Sequence, residues 1–253
     1  MRPATPIPPI FITGIGTGVG KTLVAAIVTE ALQADYWKPV QAGYSEGTDS
    51  GWVQGVLSNP HSRIHPETYR LALPASPHIA ARQEGVVISI PRIAGDLRDI
   101  LAASGLSHAH SASISLSEPA RDQSAAISQA SPARPLVIEG AGGLLVPLNE
   151  KEFVPDLIRE LGATLILVSR NYLGSINHSL LTAEAARAHG LNVAGWIFND
   201  QYGHYEEDIV RWTGIPALAS IPYSAGPGRE FVREQAQKIA MPLRAALIPG
   251  NLH

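Results

Sequence analysis

Lys21, Thr22, Lys38 and Glu139 are the residue types that handle phosphate and its metal, and each lies at the end of an apolar run or just beyond one. The first two close the stretch Thr13-Gly14-Ile15-Gly16-Thr17-Gly18-Val19-Gly20-Lys21-Thr22. An apolar run, Pro9-Ile10-Phe11-Ile12, precedes it, and Leu23-Val24-Ala25-Ala26-Ile27-Val28 follows. Strand, glycine loop and helix in that order form a phosphate cradle. Glycines let backbone N–H groups converge on an anion, and the helix N-terminus adds positive potential there. Lys21 then reaches the β- and γ-phosphates, and the Thr22 hydroxyl is placed for a phosphate-bound Mg²⁺.

The loop is one residue longer than the usual P-loop, which puts four residues between its first glycine and the Gly-Lys pair. Here five residues separate Gly14 from Gly20, and three separate Gly16 from Gly20. That spacing points to a subset of P-loop proteins. Some of these carry an additional lysine early in the loop, and residues 13–18 contain none.

Two further strand ends carry chemistry. In Trp37-Lys38-Pro39-Val40-Gln41-Ala42-Gly43 a lysine sits inside an apolar run, where it is costly unless it meets an anion. Beside the P-loop, Lys38 would face a transferred phosphate or an anionic substrate; otherwise it snorkels to solvent. In Leu136-Val137-Ile138-Glu139-Gly140-Ala141-Gly142-Gly143 a β-branched strand ends in a carboxylate and a loop that permits close approach. P-loop proteins hold Mg²⁺ with such an acid, so Glu139 is the main metal candidate. Asp49 is a second, or else it caps the helix that begins near Gly51. Ser175 opens a long helix with no acidic residue in its first turn, an end able to hold a carboxylate. Asn199 ends Trp196-Ile197-Phe198-Asn199 and could pair with the two-edged pattern of adenine.

The elements that position these residues alternate strand with helix, the pattern of a doubly wound, mostly parallel α/β sheet with helices on both faces. Strands are expected over 10–13, 36–40, 136–139, 164–168, 193–198 and 217–221. Helices are expected over 21–33, 51–57, 91–103, 154–161, 175–189 and 205–213, with a C-terminal helix or helix pair over 229–247 broken at Pro242. Ligands of such sheets lie beyond the strands' carboxyl ends. Residues 105–135 are rich in Ser and Ala and read as a surface insertion; His108 and His110 within them have no further ligands at a useful spacing.

At 253 residues, 45% hydrophobic and 16% charged, the chain fits one large domain over 1–253. A net charge of −3 offers no basic field for nucleic acid, and zero cysteines exclude disulfides, thiolate metal sites and a Cys nucleophile. Residues 1–9 are too rich in proline for a signal peptide, and no apolar run approaches a membrane span. The expectation is a soluble cytoplasmic protein. No nucleophile-elbow sequence is present, which argues against a hydrolase triad.

Together the motifs resemble the dethiobiotin synthetase family. The matching pieces are TGIGTGVGKT, YWKPVQAG, TDS, SPHIAA, VIEGAGGLLVPL, LGSINHSLLTAEA, WIFND and SIPY, running in family order from residue 10 to about 224. The resemblance implies a homodimer of doubly wound subunits that uses ATP and Mg²⁺. The family carboxylates 7,8-diaminononanoate with CO₂ to a carbamate and phosphorylates the carbamate from ATP. The second amine then attacks the carbonyl and expels phosphate, closing the ring. By position, Lys21 and Lys38 match the catalytic lysines, and Thr22, Asp49 and Glu139 the Mg²⁺ ligands. Gly18, Val19, Gly20, Leu23, Gly140, Ala141, Gly142, Asn199, Asp200 and Pro222 match nucleotide contacts. Ala42, Gly174, Ser175, Ile176 and Asn177 match substrate contacts, the last four supplied by the partner subunit.

Three departures from the family stand out: Gly16 and Gly18 where an acid is usual, Ala42 where Ser or Thr is common, and the insertion. Two other readings share the fold. A partitioning-type switch ATPase normally carries the loop lysine absent here. A cobyrinate-type amide synthetase uses a glutaminase domain with a Cys nucleophile, and this chain has no cysteine.

Overall fold

The computed structural model describes residues 8–104, 134–200 and 205–247. Most of the Ser/Ala-rich insertion, with His108 and His110, and the first seven residues lie outside the described residues.

Strand β1 (Ile10–Gly14) runs through the P-loop into helix α1 (Lys21–Leu32). Then follow β2 (Asp35–Trp37), β3 (Val40–Ala42), α2 (Asp49–Val56), β4 (Ile64–His65), β5 (Tyr69–Leu71), α3 (Pro77–Gln83) and α4 (Ile90–Ala103). The second part runs β6 (Leu136–Gly143), α5 (Val154–Glu160), β7 (Thr164–Arg170), α6 (Ser175–Ala188), β8 (Val193–Asn199), α7 (Tyr205–Thr213), β9 (Ala217–Ile221) and α8 (Arg229–Leu247). Seven strands form a wholly parallel sheet in the order β4-β2-β6-β1-β7-β8-β9. The chain builds outward from β1 in both directions, so the carboxyl ends of β1, β2 and β6 meet where strand order reverses.

A parallel sheet covered on both faces is apolar on both, and this one is. Alternation along each strand sends Ile10, Ile12, Tyr36 and Val137 into the layer under α1, α2 and α8. Phe11, Trp37, Leu136 and Ile138 enter the opposite layer, under α4 and α5. Each large side chain fully buried this way stabilises the fold by roughly 1.5–3 kcal/mol.

Three elements depart from the expectation. The strand expected over 36–40 is two: β2 ends at Trp37, and β3 leaves the main sheet to pair with β5 in a separate two-stranded parallel ladder. Pro39 supplies the reason, since it cannot donate to a ladder and its ring restricts Lys38 before it. The strand expected to stop at Glu139 continues to Gly143, because after a register shift Gly143 pairs with Gly14 of β1. Helix α8 passes through Pro242 unbroken and buries Leu243 and Leu247 beyond it. The short β4, β5 and α3 have no counterpart in the sequence reading.

Candidate active site

The alternation that builds the core also builds the site. Tyr36 faces α1, so Lys38, two residues on, leaves β2 toward the same side. On β6, Val137 faces α1 and Glu139 follows two residues later. The register pairs Tyr36 with Val137, which sets Lys38 beside Glu139 at the sheet's edge. Lys38 Nζ lies 3.1 Å from Glu139 Oε1 and also ion-pairs with Asp49. Thr22, in the first turn of α1, donates to the same Oε1 at 2.8 Å, and the Tyr36 hydroxyl donates to Oε2 at 2.7 Å.

Asp49 is not a helix cap. Thr48 caps α2 by accepting from the Gly51 N–H at 3.0 Å, and Asp49 is the first helical residue with its carboxylate turned to Lys38. Gln41, almost fully buried, fixes this arrangement: its Oε1 accepts from the Asp49 N–H at 3.3 Å and its Nε2 donates to the Gly43 carbonyl at 2.7 Å.

The P-loop closes the other side. Gly20 caps α1 with φ +90°, no side chain caps the helix, and no acid stands in its first turn, so its leading N–H groups are free for an anion. Lys21 is buried and bonds the Gly16 carbonyl at 2.8 Å. Burial lowers its pKa from 10.5 to about 8, with Glu139 opposing the shift. Lys38 is different. Burial pulls its pKa down as well, but the charges of Glu139 and Asp49 outweigh it and the net shift is upward, so Lys38 is a fixed cation. Burial and the charge of Glu139 push the Tyr36 phenol well above its ordinary value, so it is a donor.

These groups line a cavity of about 720 Å³. Of the residues expected from sequence, Gly18, Gly20, Lys21, Thr22, Lys38, Ala42, Asp49, Glu139, Ala141 and Gly142 line it. Val19 is buried behind the loop, and Leu23 packs on the core layer under α1. Gly140 is required by packing, since a β-carbon there would lie 2.7 Å from Phe11. Asn199 sits against the P-loop from β8: its Nδ2 donates to the Val19 carbonyl at 3.1 Å. Asp200 takes φ +65° and ion-pairs with Arg170 at 2.9 Å, and Pro222 is exposed just past β9.

Gly174, Ser175, Ile176 and Asn177 do not line this cavity. Gly174 caps α6 with φ +101°, and Ser175 instead accepts from the Tyr172 N–H at 3.3 Å. No acid stands in the first turn of α6, and Leu173 beside it is 92% exposed. Tyr36, Gln41 and Ser76 belong to the site or its support and were not singled out from sequence as site residues. The period of two from Lys38 was the signal available for Tyr36.

Oxygen donors alone converge beside the P-loop: one hydroxyl and two carboxylates, from Thr22, Asp49 and Glu139. That donor set suits Mg²⁺, which binds one or two carboxylates together with substrate phosphates rather than an all-protein cage. Among the described residues no three acidic or histidine side chains gather into such a cage.

Residues 9–230 match the AAA domain family. An ATP-dependent dethiobiotin synthetase of Cytophaga hutchinsonii is 43% identical over 230 residues, covering 90% of this chain and 95% of that protein. One from Christiangramia forsetii is 40% identical, covering 90% of this chain and 94% of that protein. Among solved structures, the MinC:MinD cell division complex of Aquifex aeolicus superposes with a TM-score of 0.56 at 13% identity, covering 97% of this chain and 98% of that one. The last likeness establishes the doubly wound P-loop fold alone.

Proposed function

The chain belongs to the ATP-dependent dethiobiotin synthetase family, and from that premise we propose that the crevice at the ends of β1, β2 and β6 closes the ureido ring of dethiobiotin. The observation that carries this is Lys38, a buried cation held between Asp49 and Glu139 and facing the P-loop lysine. A carbamate and a triphosphate bring several negative charges into one crevice, and phosphoryl transfer asks for positioning and charge stabilisation rather than a nucleophilic side chain.

Each residue then has a task. The α1 N-terminus and loop N–H groups hold the β-phosphate, and Lys21 neutralises the γ-phosphoryl group. Thr22, Glu139 and Asp49 would hold Mg²⁺, which would offset charge on the ATP phosphates. Lys38 faces the carbamate formed when one amine of 7,8-diaminononanoate takes up CO₂. The carbamate oxygen attacks the γ-phosphorus and ADP leaves. The second amine attacks the carbonyl carbon, the C–O bond to phosphate breaks, and the product carries the new C–N bond. Asn199, with Asp200 and Pro222 nearby, lies where the base and ribose would rest.

Gly174–Asn177 would hold the substrate's distant carboxylate from a partner subunit, because they stand outside the cavity of their own chain. This reading makes the protein a homodimer, each subunit a single P-loop domain over 1–253. No helix among the described residues is long and apolar enough to cross a membrane; the reading places the enzyme in the cytoplasm.

The test is whether ATP turnover depends on diaminononanoate together with bicarbonate, with dethiobiotin identified by mass. ATP hydrolysis indifferent to the diamine would overturn the reading in favour of a switch ATPase.

A further inference from the structure

Tyr36 has no part in the reading above, yet its hydroxyl is the one polar atom of a fully buried ring. A phenylalanine would fill the same place in the layer under α1, so it is the hydroxyl that needs a reason. Burying a hydroxyl is costly unless it is paired, and this one is paired with Oε2 of Glu139 at 2.7 Å. The two carboxylate oxygens are divided. Oε1 accepts from Thr22 and Lys38, both of which line the cavity. Oε2 accepts from Tyr36, which does not.

The division has a mechanical consequence. The last torsion of a glutamate is broad and roughly two-fold, so nothing intrinsic decides which oxygen faces the phosphates. A second anchor on one oxygen removes that freedom. Tyr36 and Lys38 share one face of the same chain segment, so one segment supplies both the anchor and the cation. We propose that Tyr36 is a positioning residue, whose hydroxyl pins Oε2 of Glu139 so that Oε1 is the oxygen presented to phosphate-bound Mg²⁺ and to Lys38. The inference rests on the metal role assigned to Glu139 above.

Two measurements test it on the full chain. One is the Mg²⁺ concentration for half-maximal dethiobiotin formation. The other is calorimetric ADP affinity with Mg²⁺ and with EDTA, which counts only binding-competent protein. Partners of metal ligands typically change metal affinity by about 10- to 100-fold. Tyr36→Phe is therefore expected to raise half-saturating Mg²⁺ about tenfold and to weaken Mg²⁺-dependent ADP binding by a similar factor. Affinity in EDTA should stay within about threefold. Tyr36→His keeps a donor of shorter reach and should fall between; it carries the test alone if the phenylalanine variant does not fold. Equal weakening with and without metal, or no Mg²⁺-selective change, would overturn the proposal. Glu139→Gln is the reference. If it leaves the Mg²⁺ dependence unchanged, the metal assignment fails and the Tyr36 proposal falls with it. If it shifts that dependence while Tyr36→Phe does not, the Tyr36 proposal alone falls.

Discussion

The ammonium of Lys38 stands 3.1 Å from Oε1 of Glu139, and the two side chains are only 6% and 1% exposed. A pair this deeply buried is costly to desolvate, and breaking it by removing one partner leaves a charge uncompensated. On the proposed mechanism, chemistry rather than stability accounts for its place beside the P-loop. Lys38→Ala should therefore lower kcat for dethiobiotin formation by two decades or more, a loss on the order of 3 kcal/mol of transition-state stabilisation. Lys21→Ala should do the same and also raise KM for ATP. Near-normal kcat in Lys38→Ala would show that the lysine serves the fold alone.

The contact between Asn199 and the P-loop gives a second expectation. Gly20 takes φ +90°, and a β-carbon there would overlap the Asn199 carboxamide. Gly16 has an ordinary φ and nothing within 4 Å of the same position. Gly20→Ala should strain the loop, displace Asn199 and weaken ADP binding at least tenfold, because a misplaced positioning group typically costs about two decades. Gly16→Ala should stay within about threefold, since it meets no neighbour. Calorimetric titration of both variants with Mg²⁺ and ADP checks the contrast; equal losses would mean that the loop tolerates neither side chain for a reason other than Asn199.

Much of this is legible in the amino-acid sequence alone. The P-loop, the order of strands and helices, and the helix over 205–213 follow from period and glycine placement; the end of β6 at Gly143 and the unbroken course of α8 through Pro242 do not. The break after Trp37 was less visible, because Lys38-Pro39 is flanked by apolar residues that continue the strand pattern on both sides. Pro39 ends β2, and the ladder between β3 and β5, a non-local pairing, then takes Val40–Ala42 out of the main sheet. Tyr36 escaped as a site residue for a related reason. A buried aromatic in a strand reads as core, and it is core; its hydroxyl matters through the register that sets β2 against β6. Asp49 is open to reading as a weaker ligand or as a cap, and Thr48 takes the cap.

Asp35 ties down the start of β2 and both flanks of the insertion. It accepts from the Arg63 N–H at 3.0 Å, from Arg134 Nε at 2.9 Å and from Ser104 Oγ at 3.3 Å, and pairs with His65 at 3.2 Å. Burial alone would raise its pKa, but the hydrogen bonds from His65, Arg134 and the Arg63 N–H, together with the Arg134 charge, prevail and lower it from 3.8 to about 2. A carboxylate with a depressed folded pKa adds stability that is complete above the unfolded value and lost as pH falls through the folded one. Asp35→Asn should thus lower unfolding free energy at pH 7 by roughly 2 kcal/mol. The gap from the parent should narrow as pH drops from about 5 toward 2. Urea titrations across that range read it directly. Parallel curves would mean that the ionised form contributes nothing beyond the amide.

The proposed dimer can be tested by dividing one active site between two inactive chains. The α6 N-terminus offers free N–H groups with no acid in its first turn, and lies outside the cavity that holds Lys38. A negative charge there should repel the substrate carboxylate. Gly174 is a poor place for it, since φ +101° would strain any side chain. Asn177 is exposed in the first turn and carries no such strain. Asn177→Asp should raise KM for diaminononanoate sharply and leave ATP affinity nearly unchanged, because the charge lies far from the phosphates. Mixing it with Lys38→Ala then separates the two architectures. In a mixed dimer, the crevice with an intact Lys38 faces a partner helix with an intact Asn177. Random exchange makes half of the dimers mixed with one good site in two, so about a quarter of parental activity should return at low substrate. No recovery after mass spectrometry has confirmed subunit exchange would show that each chain builds its whole site alone.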